Sequence, residues 1–484
     1  MPSRSKQAFT GLQETVADGR LANTFFRRQQ LSRLHDGLKS AKTSIVDAIV
    51  RDSGNNRAEA VAELHMVFSA VKSFHDEIKP QEELDLEYRI AKGQDATQVR
   101  TGFGIVVITP EKHSLLYSIL TPLSAAIAAG NAVVVVIEKN LRILPPLIAT
   151  LLQESLDPDI YEISSTRVET GSINALHVIQ HGETDTSNSH VLYSPSSNLT
   201  VAIVDRTADL DAAAVSLIKA RFAFGGTSPY APDIILVNEF AKRDFLHAAR
   251  RHVLEYLTEA HDETTDRQRL HPNHQNGPKT DEVARDSSQT LVSSAKSAIV
   301  EVDDRSALAN FSKVRHKSLY IHSFSSLDDA IEVANNLESG ISLATYVFAD
   351  WKTCKYVLQF VEADIGLANI VPAELLVGPA LPRGHIVGIS PRYTTSLFSV
   401  PRPKYAKKSG LALELEEILG ATDSTTQESV LARNLSPESR VPIKHIPGYF
   451  ERGVIVGGIA TVSPILLGLS AATYYFFLRK LLSP

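Results

Sequence analysis

The chain predicts an α/β fold built on a doubly wound sheet, with one membrane-spanning helix towards its carboxyl end. Two observations predict this. The stretch Thr121-Pro-Leu-Ser-Ala-Ala-Ile-Ala-Ala-Gly-Asn-Ala-Val-Val-Val-Val136 reads as an apolar, alanine-rich helix, a turn at Gly130-Asn131 and a strand without a polar residue. A strand apolar on both faces suits a sheet covered by helices on both sides. The second observation is Gly453 to Leu478, 26 residues without a charge between Arg452 and Arg479-Lys480. At about 1.5 Å per residue it would reach about 39 Å, more than the roughly 30 Å of a bilayer core.

The elements follow in order. Leu31, Leu34, Leu38, Ile45 and Ile49 recur at helical spacing, as do Val61, Leu64, Phe68, Val71, Phe74 and Ile78, and Asp52-Ser-Gly-Asn-Asn56 breaks the two helices. Gly104 to Thr109 reads as a buried strand, and the helix Ser124–Ala129 and strand Ala132–Ile137 come next. Asn198 to Asp211 is a strand leading into a helix, and Phe224 to Val237 ends in another strand. Residues 261–289 are polar and read as a long exposed loop. Lys317 to Trp351 gives strand, helix and strand, and Gly410 to Glu451 a polar linker. The expected division is 1–200, 201–405, a linker at 406–452 and the span at 453–478, with Tyr474 to Phe477 placed as an aromatic belt.

Composition sets the outer limits. Hydrophobic content of 43% with 21% charged residues describes a globular protein, and a net charge of −6 without a basic stripe excludes a nucleic-acid partner. The single cysteine, Cys354, excludes an intrachain disulfide and a thiolate metal cage, and it reads as a structural or surface thiol. His261, His271 and His274 share one loop without a metal-ligand frame, so no metal site is expected. Residues 1–20 are polar and mixed in charge, without the apolar core of a secretory signal. The span then reads as a tail anchor with the rest of the chain in the cytosol.

Several ordered segments carry a family resemblance. Thr121 to Val136 is similar to the PL-x-x-A-I-A-A-G-N-x-V-V-L-K-P segment of the aldehyde dehydrogenase superfamily, above all its membrane-anchored fatty aldehyde branch. Phe224-Gly-Gly-Thr-Ser-Pro-Tyr-Ala-Pro-Asp-Ile-Ile-Leu-Val237 resembles F-N-x-G-Q-x-C-x-A-P-D-x-x-L-V. Ser326 to Phe348 resembles the S-L-D-E-A-I helix and the L-A-x-Y-V-F strand. The resemblance covers about Leu31 to Lys404. It implies an aldehyde dehydrogenase-like fold, with a nucleotide-binding lobe and a catalytic-type lobe. It also implies NAD(P)-dependent oxidation of aldehydes and a homodimer. The branch puts the endoplasmic reticulum first as the membrane, and the mitochondrial outer membrane second.

The chemistry implied by the resemblance needs a thiolate, an oxyanion donor and a carboxylate base. The family cysteine matches Pro229, beside Ser228; the oxyanion asparagine matches His113; the glutamate base matches Pro195. The lysine for the adenine ribose matches Val136, while the ribose glutamate and the ring-stacking phenylalanine match Lys313 and Arg315. Thr170-Gly-Ser172 spells the family's T-G-S turn, but ahead of its expected strand. The residues therefore describe a degenerate member, a membrane-tethered scaffold or regulatory partner of an unidentified protein. The alternative is an enzyme with rearranged chemistry, acting on aldehydes or esters with Ser228 as nucleophile.

Overall fold

Four helices lead the chain: α1 (Arg4–Asp18), α2 (Thr24–Ser53), α3 (Arg57–Glu77) and α4 (Pro80–Ala91). Asn23 caps α2 by accepting from the backbone N–H groups of Phe25 and Phe26, and Gly54 ends it in a left-handed conformation. Asn56 and Glu59 form a reciprocal capping box on α3, so the break falls at the expected polar cluster. The structure is a computed structural model. It describes residues 4–94, 98–168, 174–182, 190–253, 288–293, 298–308, 311–337, 341–385, 388–401, 408–433 and 449–481. The loop at 261–287, its three histidines and Thr170 to Ser172 lie outside these, as do the side chains of Tyr474 to Phe477.

The first sheet has five parallel strands: β2 (Ile105–Thr109), β3 (Ala132–Val136), β4 (Tyr161–Ser164), β5 (Leu176–Ile179) and β6 (Val191–Tyr193). Their order is β4-β3-β2-β5-β6. The order reverses between β2 and β5, which opens a crevice at the carboxyl ends of the strands. Helix α5 (Leu115–Ala128) links β2 to β3, and α6 (Leu144–Ser155) links β3 to β4. The helix expected over Ser124–Ala129 thus begins nine residues earlier, at Leu115.

The second sheet has seven strands in the order β13-β12-β7-β8-β11-β10-β9. These are β7 (Thr200–Val204), β8 (Ile234–Asn238), β9 (Ser288–Ser293), β10 (Ala298–Val302), β11 (Ser318–Phe324), β12 (Ala344–Phe348) and β13 (Gly366–Ala368). All pair in parallel except β9, which runs antiparallel on β10. Helices α7 (Leu210–Phe222), α8 (242–253), α9 (Leu327–Asn335) and α10 (Trp351–Phe360) accompany it.

Residue 200 opens β7, the first strand of the second sheet along the chain, but the chain beyond β13 returns to the first sheet. Leu376, Val377, Tyr393 and Phe398 join the core of the five-stranded sheet, while Leu375, Ala380 and Leu381 join that of the seven-stranded one. Strand β14 (Ser399–Pro401) pairs antiparallel with β1 (Arg100–Gly102). The two lobes are stitched into one unit, Met1–Lys404.

The remaining unit, Tyr405–Pro484, is mainly helical over its described residues. The stretch 406–452, expected as a linker, holds α11 (Gly410–Gly420) and α12 (Ser424–Arg433). Helix α13 (Tyr449–Leu481) contains the whole expected span. Among the described residues it is the one helix long and apolar enough to cross a membrane, over Glu451–Thr473.

Candidate active site

The loop that follows α7 is folded tightly. Phe224, Gly225 and Gly226 have φ of 50°, 67° and 72°, three left-handed residues in a row. Such a turn suits glycine and strains Phe224. Outside partners hold it there. Glu59, from the capping box of α3, accepts from the Phe224 N–H at 2.8 Å. A Cβ on Gly226 would lie 2.6 Å from the carbonyl oxygen of His316, so a side chain has no room.

Ser228 and Pro229 come next, and both are buried. The Ser228 hydroxyl accepts from the Tyr230 N–H at 3.3 Å, and no imidazole or carboxylate among the described residues bonds to it. That is a turn serine, closing on its own backbone. The Pro229 carbonyl accepts from the Thr200 hydroxyl at 2.9 Å and from the Lys313 ammonium.

Lys313 belongs to a buried ion cluster. Its ammonium lies 2.8 Å from Asp233 Oδ2, and Arg221 Nη1 lies 3.3 Å from Asp233 Oδ1. Asp233 also accepts from the backbone N–H groups of Thr200 and Val314, at 2.7 and 3.0 Å. Arg221 donates onward to the carbonyls of Gly226, Val314 and His316. The cluster ties the 224–233 loop to the 313–316 segment. Burial pulls the Lys313 ammonium down to about 8, against the opposing pull of Asp233. Lys313 is committed inward, with only 7% of its side chain exposed.

His113 is likewise committed. Its Nε2 lies 2.8 Å from the Leu376 carbonyl, which can only accept, so Nε2 carries the ring proton. Nδ1 lies 2.9 Å from the Thr227 hydroxyl, whose single proton is shared between Nδ1 and the Phe224 carbonyl, 2.8 Å away. Both ring nitrogens are taken, one by each lobe, and burial lowers the imidazole to about 4. The ring is a neutral staple between loops.

Arg315 sits partly exposed, 3.4 Å from the Ser196 carbonyl and 3.7 Å from Glu111 Oε1. Glu111 is buried, and its Oε2 has no hydrogen-bond partner. Pro195 lies just past β6, where its carbonyl closes a turn with the Asn198 N–H. Cys354 is buried on α10, its thiol directed at the Val347 and Ala349 carbonyls, and burial raises it. It is a structural thiol.

Val136 ends β3 and lines a cleft of about 300 Å³ at the carboxyl ends of β2 and β3. Thr109, Pro110, Leu115, Ile137 and Pro145 supply apolar wall, and Lys112, Arg142, Arg167 and His181 supply basic groups. Of the residues at matching positions, Pro229 and Lys313 meet in one network; Ser228 precedes Pro229 and bonds only to its own turn, His113 reaches the same loop at Thr227, Arg315 pairs with Glu111, and Val136 stands in the separate cleft. Sequence reasoning missed Arg221, Glu111 and the paired arginines of the cleft. Asp233 was visible within Ala231-Pro-Asp, but nothing in the sequence joined it to Lys313. No cluster of metal-ligating side chains occurs among the described residues.

Comparisons with known proteins bear on this arrangement. The model of the family described as Aldehyde dehydrogenase family matches residues 7–307. The 4,4'-diaponeurosporen-aldehyde dehydrogenase of Staphylococcus aureus is 24% identical over 250 residues, 48% of this chain and 54% of that protein. The dimeric NADP-preferring aldehyde dehydrogenase of Rattus norvegicus is 24% identical over 402 residues, 77% of this chain and 87% of that one. The match spans about half the length of the staphylococcal relative and of a canine one, 54% and 55%. Among solved structures, substrate-bound AldH of Staphylococcus aureus superposes with a TM-score of 0.59 at 18% identity, covering 88% of this chain and 99% of that one. GapN of Methanocaldococcus jannaschii, complexed with NADP, gives 0.58 at 15% identity, covering 82% and 92%. With two α/β lobes, a nucleotide-type crevice and a match over more than half its length, the chain belongs to the aldehyde dehydrogenase family.

Proposed function

We propose that this family member does not oxidise aldehydes and acts instead as a membrane-tethered scaffold or regulatory protein. The observation that carries the reading is Pro229 at the nucleophile position, its carbonyl held by Lys313 of the buried ion cluster. No thiolate is within reach, and no carboxylate stands at Pro195 to activate water. NAD(P) does not fit well on the nicotinamide side. The position of the ribose carboxylate is a lysine turned inward onto Asp233, and the position of the stacking ring is an arginine beside Glu111. Val136 offers no donor to the adenine ribose. Ser228 hydrogen-bonds to its own turn, so an esterase-like nucleophile has no support from the geometry.

The rest of the reading follows the resemblance: a homodimer, held to the endoplasmic reticulum by α13, with the mitochondrial outer membrane as second choice. The test uses full-length protein in detergent with NAD or NADP and a series of short- and long-chain aldehydes. No reduced cofactor should form above the rate without protein. Turnover that survives Ser228→Ala and Cys354→Ser would sink the reading.

A further inference from the structure

Helix α11 carries an apolar face that no described residue covers. Leu411, Leu415, Ile418 and Leu419 hold the i, i+4, i+7 and i+8 positions of an amphipathic stripe, within about 100° of one another around the helix. None of them is buried; Leu411 is 61% exposed and Leu419 84%. Glu416 and Glu417 lie across the helix from the stripe, with Glu414 at its edge. Lys408 pairs with Glu416 at 2.7 Å, and Arg433 of α12 pairs with Glu417 at 3.3 Å. The Arg433 contact puts α12 on the polar side of α11. Val430 of α12 is the one buried residue within 408–433, so the leucine stripe stays outside this helical hairpin.

Contiguous exposed leucines of this kind mark a contact surface. Helix α13 belongs to the same unit, and residues 434–448 are all that separate it from α12. Fully extended, those 15 residues span about 50 Å at most, so the hairpin stays within reach of the bilayer assigned to α13. A second copy is a poorer occupant. The 11 residues of α11 make fewer than two heptads, whereas a paired coil is sustained over about three or four. Charge then selects the lipid. Glu414, Glu416, Glu417, Asp423 and Glu428 outnumber Lys408 and Arg433 on the hairpin. Anionic headgroups would repel that excess, while a zwitterionic interface takes the leucines for their apolar area alone.

We infer that α11 lies in the headgroup layer of a zwitterionic membrane with its leucine stripe towards the acyl chains. This gives the chain a second lipid contact beside its span. The inference rests on the reading of α13 as a membrane span.

The test uses full-length protein in phosphatidylcholine vesicles, with Leu415→Cys, Leu419→Cys or Glu416→Cys carrying an environment-sensitive fluorophore. The one native thiol is buried, so unsubstituted protein gives the labelling blank. Lipid with a nitroxide on the upper acyl chain, roughly 5–10 Å deep, should quench the probes at 415 and 419 several-fold more than the probe at 416. Added phosphatidylserine should not strengthen that quenching. Equal quenching at the three positions would overturn the inference. A probe at 415 or 419 that is blue-shifted but unquenched would do the same, because protein would then cover the stripe. So would self-quenching that fades when labelled chains are diluted with unlabelled ones, since a second copy would be the occupant. Quenching that rises with phosphatidylserine would overturn the choice of a neutral surface. Protein that alkaline carbonate strips from the vesicles defeats the α13 span whatever the probes report, whereas protein that stays embedded with unquenched probes defeats the α11 contact alone.

Discussion

Burial holds the His113 imidazole near a pKa of about 4, against 6.5 in an unfolded chain. Between those values the unfolded chain takes up a proton that the folded one refuses, so stability falls as pH drops from 6.5 to 4. The whole effect is about 3 kcal/mol, from about 1.4 kcal/mol for each tenfold change. Glu63 works in the opposite direction. Burial raises it from 4.5 to about 7, so its cost to folding grows as pH rises through that window. The His113 effect is therefore read as a difference: melting of the parent against His113→Asn, from pH 7 to pH 4. The parent should lose ground to the variant as the solution is acidified; parallel curves would mean that His113 is not held neutral. At this scale the sequence was legible where one side chain decides the chemistry. Pro229, Pro195 and Val136 lack a reactive group wherever the chain folds. Lys313 was legible only as a reversed charge, because its partner Asp233 lies 80 residues earlier and its Pro229 contact depends on the folded loop.

Helix α5 shows why elements were only partly legible. Pro122 lies inside it and has no N–H to give the Ser118 carbonyl one turn earlier. Gln180, just past β5, supplies the missing donor: its Nε2 lies 2.9 Å from that oxygen and 2.9 Å from the Tyr393 hydroxyl. Its Oε1 accepts from the Glu111 N–H at 2.9 Å. Gln180→Leu should thus leave the buried Ser118 carbonyl and Glu111 N–H unpaired and cost about 2 kcal/mol or more, read as a fall in the urea midpoint. A loss below about 0.5 kcal/mol would show that these bonds are replaced on unfolding at no penalty. The start of α5 was hidden for a related reason. Ser114 precedes it in a left-handed conformation and gives no side-chain cap; Glu63 of α3 serves from far away in the sequence. By contrast β2, β3, β7 and β8 stood out as uninterrupted apolar runs, because strands buried on both faces need no polar alternation. Helices α11 and α12 were not seen in 406–452. No residue of α11 is buried, and Leu411, Leu413, Leu415 and Leu419 stay exposed, so no core-facing stripe marked it out.

At the scale of the whole molecule, the two units differ in where their apolar residues go. Met1–Lys404 gathers its apolar strands and helix faces in three buried cores. Helix α13 buries none of its described residues between Glu451 and Thr473, and Val454, Ile455, Ile459, Leu466 and Leu467 all stand open. A soluble chain exposing such a continuous apolar surface would aggregate, whereas a bilayer satisfies it, since the helix pairs its own backbone groups except at its ends and at the Ala460 carbonyl, which Pro464 leaves without a donor. Glycines and Pro464, which weaken helices in water, are tolerated in that setting. Arg452 and Arg479-Lys480 bound the uncharged stretch and can hold its ends at the two interfaces. A helix rising about 1.5 Å per residue over 23 residues reaches about 35 Å, enough to cross with a modest tilt. Removing residues 449–481 should therefore move the protein from the membrane pellet to the soluble fraction, while alkaline carbonate should not extract the full-length chain. Replacing Val462 and Leu466 by lysine should cost insertion about 2.5–3.5 kcal/mol each near the centre of the span and shift much of the protein to the supernatant. Full-length protein that stays soluble without detergent, or a lysine variant that pellets like its parent, would mean that α13 buries its apolar face against protein instead of lipid.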